Sequence, residues 1–306
     1  MIKYISRRLL YLLPVLIGVS FIVFTLLYIT PGDPAKMMLG EQADTEALEE
    51  LREELGLNDP FLVQYGNYIK NIVVKGDIGT SYSTNRPVLT EILDVFPNTL
   101  KLAVAATSIA IVLGIIFGII SAVKQYSIID SIITVFALLG ISMPMFWVGL
   151  LMILLFSVKL GWLPPSGLDS FKSLIMPAIA LGAQSIAVIT RMTRSSMLEV
   201  VRQDYIRMAK SKGQEEHIII FKHAFRNALI PIITVIGLQF GLLLGGAIIT
   251  ESVFSIPGLG RLMIESIKTR DFPVVQGVVL FMAVTFSLVN LVVDLLYSYV
   301  DPRIRN

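Results

Sequence analysis

The sequence predicts an all-α fold in which six helices cross a membrane. Hydrophobic residues make up 55% of the 306 residues, charged residues only 16%, and the mean hydropathy is +0.75. This composition is too apolar for an ordinary soluble domain. A helix needs about 20 mostly apolar residues to cross a bilayer core. Six runs qualify: residues 9–29, 100–123, 131–158, 174–190, 229–249 and 274–293.

The first run follows Lys3, Arg7 and Arg8, an arrangement shared with secretory signal peptides. The apolar run is long, however, and no small-x-small cleavage site follows it. We therefore expect residues 1–30 to form a retained transmembrane helix.

Residues 31–98 form a section of different composition, with twelve acidic and five basic residues. Two apolar stripes at helical spacing occur there: Leu48, Leu51 and Leu55, then Phe61, Tyr65, Tyr68, Ile69 and Ile72. A turn-rich stretch and a last short helix at 89–95 complete the section. We expect a small extracytoplasmic domain whose stripes pack against the spans and one another.

The distribution of Lys and Arg predicts the orientation, because both are denser in short cytoplasmic loops. The N-terminal residues are basic, and so is the stretch after run four. Its basic residues are Arg191, Arg194, Arg202, Arg207, Lys210, Lys212, Lys222 and Arg226. With six spans, both termini are expected to be cytoplasmic.

The third run contains Met143, Pro144 and Met145 near its middle. Proline removes an intrahelical hydrogen bond and should bend this helix. We interpret these residues as a kinked packing surface in preference to a ligand site, although Met143 and Met145 remain candidates for a translocation path. The fourth run is the weakest, since it carries Pro177 and Gln184.

Small residues recur every four positions in two runs: Gly114, Gly118 and Ala122, then Gly237, Gly241 and Gly245. Such columns allow helices to approach closely. Packing is the favoured interpretation for the first column. For the second, packing and a role in a translocation path stand about equal, because Gln239 adds polarity to the same helix.

The basic segment, residues 204–231, separates the fourth and fifth runs. Asp204 is suited to cap a short helix through Lys212, and Gly213 to the left-handed position that ends it. A second short helix is expected from Gln214, with Glu215 and Glu216 in its first turn. Two charged helices joined at a glycine are typical of a docking surface.

The chain must take its energy from outside if it transports a solute. The runs carry no charge at mid-depth, which argues against a proton relay, and no GxxxxGK[ST] phosphate loop occurs. Cysteine is absent and the two histidines, His217 and His223, lie in the basic segment, so no metal site is expected. No catalytic residues are indicated.

The chain resembles the transmembrane permease subunits of ABC importers, in the dipeptide, oligopeptide and nickel branch. The family's cytoplasmic signature, Glu-Ala-Ala followed after three residues by Gly, aligns with Arg207, Met208 and Ala209, followed by Gly213 at the family's distance. Ala209 and Gly213 agree with this broad form, and an arginine at the first position is similar to the peptide branch. Further matches run along the whole chain, at residues 32–35, 76–88, 146–167, 251–262, 270–280 and 301–305.

The resemblance implies a type I-like permease fold, with a five-helix core at residues 99–306 and a cytoplasmic coupling loop at 191–228. It implies coupling to ATPases for Tyr205, Arg207, Met208, Ala209, Gly213, Glu215, Glu216 and His217. The implied partners are a second permease, two ABC ATPase subunits and an extracytoplasmic binding protein, in a bacterial or archaeal cytoplasmic membrane. ATP and Mg²⁺ would bind to the ATPase subunits, and this chain would bind no cofactor. No nucleic-acid partner is expected.

Peptides are the favoured substrate, because Ni²⁺ usually prefers nitrogen or sulfur ligands and the chain has no His or Cys outside the basic segment. Nickel, a chelated metal or glutathione remain alternatives for the same machinery. A secondary transporter, an intramembrane hydrolase and a non-transporting scaffold are more remote, and we expect the chain not to be an enzyme.

Overall fold

The computed structural model describes residues 2–40 and 42–300; for residues 2–9, 246, 294 and 296–300 it describes the backbone alone. Within these residues the chain is helical. The α-helices are α1 Ile2–Ile29, α2 Pro34–Leu39, α3 Thr45–Glu54, α4 Phe61–Lys70, α5 Val88–Val123, α6 Ile128–Ser142, α7 Met145–Met152, α8 Phe171–Val201, α9 Asp204–Ser211, α10 Glu216–Ile218, α11 Arg226–Val253, α12 Leu259–Lys268 and α13 Phe272–Val300. π-Helical turns extend α4 over Asn71–Lys75, extend α7 over Ile153–Lys159 and join α10 to α11 over Ile219–Phe225.

The described residues contain five helices long and apolar enough to span a membrane, or six when one bent pair is counted as a span. The five are Leu10–Ile29, Val88–Val123, Phe171–Val201, Glu216–Gly245 and Phe272–Val293. Each of the six apolar runs of the sequence overlaps one of these helices or the bent pair, which confirms the all-α polytopic fold.

The bent pair is the third predicted span, where α6 and α7 with its extension meet at 108°. Met143 is extended, with φ −81° and ψ 132°, and Pro144 is the N-cap of α7. The residue before a proline avoids the helical region, and proline has no N–H to continue the ladder. The expected bend at Pro144 is therefore a complete break.

The first compact unit comprises Met1–Pro97 and Gly258–Ser287. Its buried cluster joins the start of α5 to α12 and α13: Val88, Ile92, Leu259, Val274 and Val278. Gly277 allows the close approach, since a Cβ there would lie 2.4 Å from Val88 Cγ1.

The second compact unit comprises Asn98–Pro257 and Leu288–Asn306. In it α8 packs against α6, α7 and α11. A Cβ at Gly118 would lie 2.4 Å from Thr193 Cβ, and one at Gly114 would lie 2.7 Å from Ile189 Cγ2. The first small-residue column therefore brings α5 against α8, as predicted.

The short helix predicted at 89–95 is not separate, because α5 runs from Val88 through Pro97 without a break. Ile92 is fully buried, and so are Leu102 and Ala106 further along the helix. Burial at helical spacing on both sides of Pro97 outweighs the loss of one backbone hydrogen bond.

Candidate functional site

The basic segment begins with α9, which is capped differently from the prediction. Gln203 is the N-cap, with φ −71° and ψ 149°, and Asp204 is the first helical residue. A carboxylate in the first turn still interacts favourably with the helix dipole. The C-terminal prediction is confirmed, because Gly213 has a φ of +74°.

Two hydrogen bonds end α9 as a Schellman motif. The N–H of Gly213 donates to the carbonyl of Lys210 at 3.0 Å, and the N–H of Gln214 donates to that of Ala209 at 3.3 Å. Glycine takes this left-handed conformation without the steric cost of a Cβ. The chain thus leaves α9 in a fixed direction.

One side of α9 is anchored and the other is open. Ile206 is fully buried, and Ala209 packs partly buried beside it, in a cluster with Met197, Ala224 and Ala228. The neighbouring Tyr205, Met208 and Arg207 are exposed; Arg207 retains 74% of its side-chain surface. Its 3.9 Å ion pair with Asp204 is fully solvated and contributes little. The helix therefore presents an aromatic, a thioether and a cation together.

The second predicted helix begins at Glu216, close to the predicted start at Gln214, but the prediction that it is short is wrong. Glu215 is an N-cap, and the helix from Glu216 continues through the π-helical turn into α11 without a break. Ile219, Ala224 and Ala228 are all buried, so the apolar face of the segment passes directly into that of the span. The segment after Gly213 and the spanning helix are therefore one continuous helix.

The remaining predicted coupling residues lie at the start of this long helix. Glu215, Glu216 and His217 are exposed, and His217 Nδ1 lies 3.1 Å from Glu215 Oε2. All eight predicted coupling residues thus fall within one continuous stretch from α9 to the first turn of α10.

A partly buried ion pair that sequence reasoning missed ties α6 to α8. Arg194 Nε and Nη2 each donate to a carboxylate oxygen of Asp130 at 2.9 Å, and Ser121 of α5 donates to the same carboxylate. The sequence placed Arg194 in the cytoplasmic loop after the fourth run, but α8 continues to Val201 and so includes this arginine. The Ser127-x-x-Asp130 spacing signals a helix start and could have located α6, but not the distant arginine.

A second missed group is Glu251, which lies inside α11 and has no exposed surface. Thr99 Oγ1 of α5 donates to its carboxylate at 2.6 Å. Because an ionisable side chain is costly to bury, this contact fixes the register between α5 and α11.

The residues proposed for a path differ in their surroundings. A Cβ at Gly237 would lie 2.2 Å from Val293 Cγ1, whereas one at Gly245 would meet nothing within 4 Å. Gln239 Nε2 donates to Ser185 Oγ at 3.2 Å. Thr250 Oγ1 lies 3.2 Å from Met145 Sδ. Gly237, Gln239 and Met145 therefore make contacts within the chain, and a path role for them stays a prediction.

Two further path candidates, Gly241 and Met143, are buried and half-buried respectively, with Met143 at the break between α6 and α7. Gly245 has open space beside it on α11. A path role for these residues stays a prediction.

The fold and this segment define a class: a multi-pass membrane subunit whose short, exposed helix is set between spanning helices. The chain belongs to the family described as binding-protein-dependent transport system inner membrane component, whose model matches residues 114–306. The model of that family's N-terminal part matches residues 1–103. The chain is thus the permease of an ABC importer, in the cytoplasmic membrane.

Curated relatives extend the similarity to the full length. A dipeptide transport system permease protein, DppB of Alkalihalophilus pseudofirmus, is 47% identical over 333 residues, covering 100% of both chains. A glutathione transport system permease protein, GsiC of Escherichia coli, is 45% identical over 305 residues, covering 100% of this chain and 99% of the relative. These relatives are transport subunits, consistent with a non-catalytic membrane component.

Solved structures show the same fold at lower identity. A chain of the inward-facing MetNI methionine ABC transporter matches with a TM-score of 0.58 and 17% identity, over 70% of this chain and 97% of that one. A chain of an amino acid ABC transporter matches with a TM-score of 0.51 and 20% identity, over 69% and 94%.

Proposed function

We propose that this chain pairs with a second permease to form the translocation path of a di- or oligopeptide importer. Two ATPase subunits would bind ATP and Mg²⁺ on the cytoplasmic side, and an extracytoplasmic binding protein would deliver the solute. The full-length similarity to a dipeptide permease supports the substrate class. The observation that carries the coupling role is α9, a short helix with one side anchored and the other exposed.

The geometry of α9 suits the transfer of motion. A partner that grips Tyr205, Arg207 and Met208 would hold the exposed side. Ile206 would carry that displacement into the buried cluster shared with α8 and α11. The Schellman motif at Gly213 limits bending between α9 and the long helix that follows. Closure of an ATPase dimer would thereby shift two spanning helices together.

Glutathione is the second candidate substrate, favoured by the 45% identity to a glutathione permease. Glutathione is itself a tripeptide, so the two candidates share amide groups, an amino group and carboxylates. A separate binding protein is expected to make most of the selection, and the permease to accept what is delivered.

Reconstitution of the complete transporter with its binding protein in lipid vesicles tests the proposal. We expect ATP-dependent uptake of a labelled dipeptide that excess unlabelled dipeptide abolishes. Uptake of glutathione with no uptake of dipeptide would transfer the assignment to the second candidate. Uptake that persists without the ATPase subunits would overturn the ATP-driven mechanism.

A further inference from the structure

Helix α4 and its π-helical extension, together called the flanking helix (residues 61–75), pack on α1 through aromatic rings. Phe21, Phe24 and Tyr28 of α1 meet Phe61, Tyr65 and Tyr68, with ring centroids 5.0–5.8 Å apart. The aromatic stripe seen in the sequence therefore faces a spanning helix. The contact lies wholly within the first compact unit.

The depth of this contact follows from the rise of α1. Its apolar span runs from Leu10 to Ile29. Phe61 contacts Phe21, which lies about 12 Å along the axis from Ile29 at about 1.5 Å per residue. Tyr65 Oη lies 3.0 Å from Ser20 Oγ and 3.3 Å from the carbonyl oxygen of Ile17, near the middle of the span. The flanking helix thus lies beside the carboxyl-terminal half of α1, not beyond its end.

The side of the flanking helix that faces away from α1 is apolar and uncovered. Its large apolar residues, which together are called the outer face, are Leu62, Val63, Val73 and Val74. Gly66, Asn67 and Lys70 are exposed between them. Val73 retains 76% of its surface and Leu62 71%. In water, such a group would be a liability for aggregation.

Another side of the same helix is polar and borders a cavity. Gln64, Asn67 and Asn71 line a cavity of about 600 Å³, which is also bounded by Asp33 and Arg52. Gln64 Nε2 donates to the carbonyls of Leu57 and Asp59 at 3.0 and 2.8 Å. The amide of Gln64 is thus held by the protein, whereas Asn67 is exposed. An amphipathic helix in water would not leave four large apolar side chains uncovered on one side.

We propose that the flanking helix is embedded in the bilayer leaflet next to the carboxyl end of α1, with its outer face against lipid acyl chains. The same half of α1 also has an uncovered apolar surface, formed by Ile22, Leu26 and Ile29. Lys70 and Lys75 reach the headgroups through their long stems. On the predicted orientation this is the outer leaflet, so part of the expected extracytoplasmic domain lies in the membrane.

Single nitroxide labels test this directly, since the chain has no native cysteine. Val63→Cys and Val73→Cys probe the outer face in the assembled transporter in phosphatidylcholine vesicles. Leu26→Cys on α1 is the lipid reference, and Glu50→Cys on the exposed side of α3 is the water reference. Collision of each label with oxygen, which concentrates in lipid, is compared with collision with a water-soluble nickel chelate.

We expect the Val63 and Val73 labels to match the Leu26 label, with a high oxygen and a low nickel accessibility. Nickel accessibility equal to that at Glu50 would show that the outer face lies in water and would overturn the proposal. Protection from both reagents would also overturn it, because a protein partner would then cover the face. The proposal depends on α1 spanning the membrane and is independent of the solute and of coupling at α9.

Discussion

Replacement of Gly237 by alanine should destabilise the chain through a single close contact. The new Cβ would lie 2.2 Å from Cγ1, 2.9 Å from Cγ2 and 3.1 Å from Cβ of Val293. Carbon atoms pack best at about 3.5–4.0 Å, so at least one methyl group must move by more than an ångström. A branched side chain has few alternative rotamers, and α11 and α13 must separate locally.

Two effects of known sign set the magnitude. Overpacking a close-packed interior costs about 1–3 kcal/mol. Exchange of glycine for alanine in a helix favours folding by about 1 kcal/mol. Gly245→Ala offers a matched control in the same helix, because its Cβ meets nothing within 4 Å and only the favourable effect remains. The two variants should therefore differ by about 1–3 kcal/mol in the free energy of unfolding.

Thermal unfolding of the purified chain in detergent, with the apparent melting temperature as the readout, measures this difference. Gly237→Ala should melt below the wild-type chain, and Gly245→Ala at or above it. Val293→Ala removes both offending methyl groups, so the double variant with Gly237→Ala should be less destabilised than the sum of the two single variants. Equal melting temperatures for the two glycine variants, or strict additivity in the double variant, would refute the packing argument.

Three other predictions concern charges and topology. Arg194→Met should lower stability by about 3–5 kcal/mol because it leaves the buried Asp130 carboxylate unpaired, whereas the isosteric double replacement with Asp130→Leu should recover most of the loss in the same melting assay. Arg52 of α3 donates to Asp33 and holds the pKa of that carboxyl below its ordinary 3.8. The resulting stabilisation is present above pH 3.8 and is lost as the pH falls through the lowered pKa. Asp33→Asn should therefore reduce the fall in melting temperature as the pH is lowered through this range. Single cysteines at the exposed positions Ser83 and Ser211 should label from opposite sides of the membrane, and labelling from one side would refute the six-span topology.

The features predicted correctly from the sequence are those that depend on residues close together in the chain. Long apolar runs gave the spanning helices, Pro144 gave the break between α6 and α7, and Gly213 gave the left-handed end of α9. The N-cap of α9 was misplaced by one residue, since both Gln203 and Asp204 are polar and only the backbone angles distinguish the cap from the first turn.

Distant partners could not be read in this way. Arg194 pairs with Asp130 across 64 positions, and Ser81 Oγ donates to Asp271 at 2.6 Å across 190. Nothing in the residues near either carboxylate specifies its partner. The continuity from Glu216 into α11 was not predicted. The charged residues that follow Gly213 are typical of a short surface helix, and a π-helical turn has no distinct sequence pattern.

The most direct test of the central claim, that α9 couples ATP hydrolysis to transport, compares two glycine variants of equal backbone strain. Gly213→Val and Gly76→Val both place a β-branched residue at positive φ, +74° and +65°, with no atom within 4 Å of the new Cβ. Each should cost about 1–2 kcal/mol locally. The measurement is ATP hydrolysis by the assembled transporter with and without loaded binding protein, at matched assembly.

Because only Gly213 sets the direction between α9 and the long helix, Gly213→Val should lose the stimulation by loaded binding protein. Gly76→Val, at the end of the flanking helix, should retain it. Full stimulation in the Gly213→Val transporter would contradict the coupling role of α9.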